Sequence, residues 1–129
     1  MLDEATRAEF DERLEAILAE LPADIRALVD DVSIIVEDEP SREILVEMGI
    51  PLDEEPDLCG LHGGVPLSER SVLDAEFEPE IVYLFRGPIF RLAGSRPAER
   101  TRQIRITLLH ELGHHFGLTE ERLEELGYG

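Results

Sequence analysis

Apolar residues first recur at helical spacing: Phe10, Leu14, Ile17, Leu18 and Leu21 mark one face of an amphipathic helix. It starts near Asp3 and stops near Pro22. Val32-Ser33-Ile34-Ile35-Val36 is β-branched and predicts a strand, closed by Glu37-Asp38-Glu39-Pro40. Ser41 to Met48 reads as a short helix ending at Gly49. From Ile50 to Ser71, prolines and glycines predict a long ordered loop with room for short strands. Ile81-Val82-Tyr83-Leu84-Phe85 is a second strand, broken by Gly87-Pro88, and Ile89–Leu92 reads as a short helix or strand.

The pattern is strongest near the end of the chain. Pro97 suits a first helical turn, with Ser95 ahead of it as an N-cap. Ile104, Leu108, Leu112 and Phe116 then return every fourth residue as an apolar stripe. Gly117 suits the left-handed conformation that ends a helix, and Thr119 caps a last short helix through Leu126, closed by Gly127. The order helix, strand, helix, loop, strand, helix predicts a mixed α/β or α+β fold, with residues 1–129 as one domain around a single core. No repeat, low-complexity run or linker interrupts it.

The face opposite the apolar stripe carries the chemistry. His110-Glu111-Leu112-Gly113-His114-His115-Phe116-Gly117-Leu118-Thr119-Glu120 contains H-E-x-x-H, extended to H-E-x-x-H-x-x-G-x-x-E. His110 and His114 lie one helical turn apart and can hold one metal ion between them. Glu111 follows the first histidine by about 100° around the axis, beside the metal, where it can take a proton from water. These residue types at this spacing make a zinc hydrolase site, with Zn2+ as cofactor and Glu111 as general base. A catalytic zinc takes three protein ligands and keeps one open position. Glu120, at +10 from His110, is the candidate third ligand. It also suits the first turn of a helix on electrostatic grounds, and Glu121 shares that description.

Charge narrows the partners. The 129 residues carry a formal net charge of −18, and all 12 basic residues are arginine. Such acidity disfavours nucleic acid and anionic membranes. Residues 1–80 hold 24 acids against 5 arginines, whereas 81–110 hold 6 arginines and one acid, Glu99. The basic strip Arg86, Arg91, Arg96, Arg100, Arg102, Arg105 is expected to pair with the acidic half; gripping a substrate carboxylate is the alternative. The N-terminal residues show no signal-peptide pattern and no apolar run reaches 18 residues, so a cytoplasmic location is expected.

The other candidates are weaker. His115 points about 100° away from His114 and reads as a residue behind the site or at the core edge. His62 lies in a loop, where it either lines the cleft or is an ordinary loop histidine. Cys59 is the single cysteine and reads as structural. Tyr83 reads as a packed strand residue, with donation to an oxyanion as the alternative. Met1 and Met48 both lie far upstream, so the methionine turn that metzincins place after the third ligand is missing.

Three segments carry a resemblance: HELGHHFGLTEE, GLHGGVPLSERS (Gly60–Ser71) and IVYLFRGPIFRLA (Ile81–Ala93). In these the chain resembles the minimal zincins, small bacterial zincin-like metallopeptidases. The resemblance covers roughly the C-terminal half and implies a compact single-domain zincin-like fold, with a small sheet and the metal site on the C-terminal helix. It also implies an acidic ligand at the +10 position, commonly Asp, where this chain has Glu120. The activity so expected is zinc-dependent hydrolysis of a peptide or protein substrate, bound by pairing with an edge strand near Ile81–Phe85. Two other readings stand beside it. One is a zinc-binding scaffold or partner-binding protein without turnover. The other is a deformylase-like amide hydrolase that uses Cys59 as third ligand, although Asp57-Leu58-Cys59-Gly60-Leu61 departs from the deformylase motif.

Overall fold

The computed structural model describes residues 2–63 and 80–126. The end of the GLHGGVPLSERS segment (residues 64–71) and the predicted closing Gly127 lie outside the described residues. Among those described, the chain runs α1 (Glu4–Glu20), α2 (Ala23–Asp30), β1 (Val32–Glu37), α3 (Arg42–Met48), β2 (Gly60–His62), β3 (Glu80–Phe85), α4 (Arg86–Ala93), α5 (Pro97–Phe116) and α6 (Glu120–Glu125). The fold is α+β: helices packed on a small mixed sheet.

Local chemistry sets most boundaries. Asp3 caps α1, its side chain accepting from the Thr6 amide at 2.8 Å. Ser41 caps α3 in the same way, and Gly49 ends that helix at φ 71°. Thr119 caps α6 through the Arg122 amide at 3.1 Å. Ser95 does not cap α5. Arg96 holds that position without a side-chain bond, and Pro97 supplies the start by fixing its own φ. β3 ends at Phe85, ahead of Gly87-Pro88 as expected, and both of these sit in the first turn of α4, where a missing proline N–H costs no helical hydrogen bond.

The sheet order is β1-β3-β2. β1 runs parallel to β3 with Val32 opposite Glu80 and Glu37 opposite Phe85. β2 runs antiparallel to β3, with Gly60 opposite Leu84 and His62 opposite Val82. The ladder continues through the Phe85 amide to the Cys59 carbonyl at 2.9 Å and the Gly63 amide to the Ile81 carbonyl at 3.0 Å. β3 is therefore the central strand, bonded on both sides. Ile81–Phe85 itself has no unpaired edge to offer a peptide, and the edge strands beside it are β1 and β2 among the described residues.

Alternation along β3 sends Val82 and Leu84 into the core, and both are fully buried. They meet Ile104, Leu108, Leu109 and Leu112 of α5, with Phe10, Leu14 and Ile17 of α1, Ile25 of α2 and Ile89 and Phe90 of α4 around them. Phe10 and Phe90 pack with ring centroids 5.4 Å apart. Each fully buried leucine or phenylalanine contributes roughly 1.5–3 kcal/mol. The core stripe on α5 is thus the predicted one, widened by Leu109 and Thr107, while Phe116 packs at the core edge.

The arginines from 86 onward pair mostly with the acidic N-terminal half, as their distribution implies. Arg86 donates to both oxygens of Asp11 and to Asp38. Arg91 forks onto Glu39, Arg100 bonds Glu9 at 2.8 Å, and Arg105 lies 3.8 Å from Glu20. Asp38 receives both Arg7 and Arg86 at the exit of β1. The Arg7 hydrogen bond, followed by that of Arg86, outweighs partial burial and holds the Asp38 carboxyl below the usual carboxylate range.

Asp38→Asn should cost about 1 kcal/mol at pH 7, a Tm loss of about 3–5 °C for a chain of this size. Because the native pKa is lowered, this stability is present above the unfolded carboxylate value and is lost as pH falls through the native value. Thermal melts of the two proteins should therefore converge only as the pH falls below the native Asp38 value, itself below the usual carboxylate range. A gap that persisted there would belong to packing and not to the ionised carboxylate.

Candidate active site

The register of β2 builds one wall of the site. Residues directly opposite on neighbouring strands share a face, so Gly60 and His62 lie on the side of Leu84 and Val82, toward α5. A Cβ at Gly60 would stand 2.9 Å from Thr107 Cγ2, 3.0 Å from Glu111 Cγ and 3.1 Å from the Tyr83 carbonyl oxygen. Only glycine allows β2 to come this near to α5. Thr107 is buried at the contact and returns its hydroxyl to the Gln103 carbonyl at 2.9 Å.

Two residues further along β2, His62 reaches the helix itself. Its Nδ1 lies 3.1 Å from Glu111 Oε1. An ionised carboxylate can only accept, so the imidazole is the donor when Glu111 is ionised. Glu111 is the more sheltered partner, with its side chain 12% exposed against 34% for His62. Sequence reading left His62 open between the cleft and an ordinary loop. The Gly-Leu-His triplet puts a small residue and a histidine on one face of a strand, and only the strand pairing shows that this face meets α5.

α5 carries the other wall. His110 and His114 stand with ring centroids 4.2 Å apart, on the side away from the core. The His62 ring meets His114 edge-on at 6.0 Å and His115 at 6.0 Å. His115 also packs edge-on against Phe116 at 4.6 Å, at the core edge where it was expected. Four histidines and one glutamate thus gather where β2 meets the C-terminal half of α5.

Gly117 ends α5 at φ 67°, and the Leu118 amide bonds back to the Gly113 carbonyl at 3.0 Å. Only a residue tolerant of positive φ makes that turn without strain. α6 then folds back so that Leu123 packs on Gly113, with 3.3 Å from its methyls to where a Cβ would stand. Glu120 and Glu121 open α6, and both are exposed.

Among the described residues, no group of three or more His, Cys, Asp or Glu side chains stands close enough to hold a metal ion. The structure brings the His110 and His114 rings together and bonds Glu111 to His62, and Glu120 joins no such group among the described residues. The donor chemistry of the histidine pair nevertheless fits zinc: two imidazoles one turn apart on an outward face, beside a carboxylate that is already hydrogen-bonded elsewhere.

Two other candidates fall away from this cluster. Tyr83 alternates onto the opposite face of β3, where it stacks on Phe85 at 5.9 Å with 5° between the rings. Cys59 is half-buried against the core, and burial, followed by the nearby Asp57 charge, pushes its thiol above the usual range. That environment suits a packed thiol and works against a thiolate ligand. No helix among the described residues is long and apolar enough to cross a membrane.

A search of curated proteins finds no match to the chain. A profile of zincin-like metallopeptidases matches residues 29–129, a span that holds the sheet, the approach at Gly60 and the whole of α5 and α6. The histidine pair, the adjoining glutamate and this match agree, and the chain belongs to the zincin-like metallopeptidase family.

Proposed function

We propose that the protein is a zinc-dependent peptidase in which His110, His114 and Glu120 hold the metal and Glu111 is the general base. The observation that carries this reading is the gathering of His110, His114 and Glu111 at the end of α5, with the Glu111 carboxylate anchored on one oxygen. Helix periodicity supports Glu120 over Glu121. Leu123 packs toward α5, Glu120 lies one turn before it on the same side of α6, and Glu121 turns away.

Zinc, when bound at such a site, acidifies water and polarises a carbonyl. Glu111 takes one proton from the attacking water as the water oxygen bonds to the scissile carbonyl carbon. Glu111 then returns that proton to the amide nitrogen as the carbon–nitrogen bond breaks, giving an amine and a carboxylic acid. An extended substrate pairs along β2, which among the described residues bonds only to β3 and borders the histidine cluster.

Elemental analysis after zinc loading should give one zinc per chain in the wild type and loss of the metal in His114→Ala and Glu120→Ala. Zinc kept by Glu120→Ala but lost from Glu121→Ala would move the third ligand by one residue. Cys59→Ala should keep its zinc; loss there would favour the deformylase-like reading. With a quenched-fluorescent peptide library as substrate, Glu111→Gln should keep zinc and lose turnover by roughly 10²–10⁴-fold. A wild type that binds zinc and cleaves no library member would favour the scaffold reading.

A further inference from the structure

We propose that His62 is a positioning residue for Glu111: it donates from Nδ1 to Oε1, fixes the carboxylate and leaves Oε2 to face the reacting water. This rests on the reading of Glu111 as general base. The two residues lie 49 positions apart, and their meeting needs the Gly60 approach, the β2 register and the exit of β2 at the end of α5. A surface ion pair between mobile side chains has none of these constraints.

The physical consequence follows from the two oxygens of a carboxylate. Glu111 adjoins the ligand pair, and nothing in its own helix stops it from turning both oxygens toward a cation. A donor on Oε1 opposes that rotation, because the carboxylate would surrender a charge-assisted hydrogen bond that is 12% exposed on the carboxylate side. With Oε1 engaged, Glu111 presents one oxygen as a base and does not become a bidentate ligand. His62 is itself held by the β2–β3 ladder on both sides, through the bonds to Cys59 and Gly63, so its ring is aimed by backbone and not by a loose loop. Partners of this kind, which orient the groups around a metal, are typically worth about 10–100-fold in activity or metal affinity.

The first test needs no turnover. In ¹⁵N-labelled full-length protein, long-range ¹H–¹⁵N correlation recorded on the neutral ring reports which ring nitrogen carries the proton. His62 should carry it on Nδ1 in the wild type, with and without zinc, and should shift to Nε2 in Glu111→Ala. A proton on Nε2 in the wild type would overturn the contact. A His62 nitrogen taking the shift of a metal-bound imidazole on zinc addition would also overturn it, by making His62 a ligand.

The second test uses the best-cleaved member of the peptide library. His62→Leu should keep one zinc per chain and lower kcat about 10–100-fold with KM little changed. His62→Asn, which keeps an N–H near the place of Nδ1, should recover most of that loss. Equal losses in both variants, or loss of zinc in either, would overturn the positioning role. Absence of turnover in the wild type would remove the peptidase reading and the catalytic role with it. The tautomer result would then separately decide whether His62 orients Glu111.

Discussion

Gly60 has no side chain, and the space where a Cβ would stand is closed on three sides by Thr107, Glu111 and the Tyr83 carbonyl. This close approach controls the distance between the sheet and α5 beside the histidine cluster. With any other residue there, the strand or the helix must shift by a few tenths of an ångström or more. His62 follows two residues later on the same face, so its reach to Glu111 depends on that distance. A hydrogen bond at 3.1 Å tolerates little such movement before it weakens. The geometry of the glutamate is therefore set by a backbone contact more than by the side chains around it.

α5 divides its surface between two tasks. Ile104, Leu108, Leu109 and Leu112 are all fully buried, and removing one such side chain typically costs about 2–5 kcal/mol. That packing holds the rotation of the helix, and so the direction in which His110 and His114 point. The glycines inside and after the motif then let the chain fold back: Gly117 turns it, and Gly113 gives Leu123 a flat surface to lie on. Both are spacing elements for α6, which folds back with Leu123 on Gly113.

Charge pairing acts on a different part of the frame. Arg7 and Arg86 meet at Asp38, and Arg91 forks onto Glu39, so the exit of β1 is clamped to α1 and to the start of α4. Guanidinium forks suit this role because each bridges two groups in fixed geometry, which an ammonium group does not. The same pairing uses up the arginines that the sequence left available for a substrate carboxylate: Arg86, Arg91 and Arg100 each already hold an acid of this chain. Specificity for an anionic group on the substrate therefore has little support from that strip.

What the sequence made legible was local. Helix starts near Asp3 and Ser41, the cap at Thr119, the apolar period of α1 and α5 and the left-handed turn at Gly117 all depend on residues within one or two turns of each other. The spacing of His110, Glu111 and His114 is local in the same sense, since a single helix brings them together. α2 went unread because its eight residues are short for a periodic signal and begin directly at Pro22. Strand order was not legible either: Ile81–Phe85 looks the same whether central or at an edge, and only the pairing of β2 on its far side decides it. His62 is the sharpest case. Its role depends on a register between strands and on a glycine-sized gap to a helix nearly fifty residues away, and neither leaves a period in the sequence. The H-E-x-x-H motif could be found by reading along the chain, but the histidine that meets its glutamate appears only after the sheet has been laid against the helix.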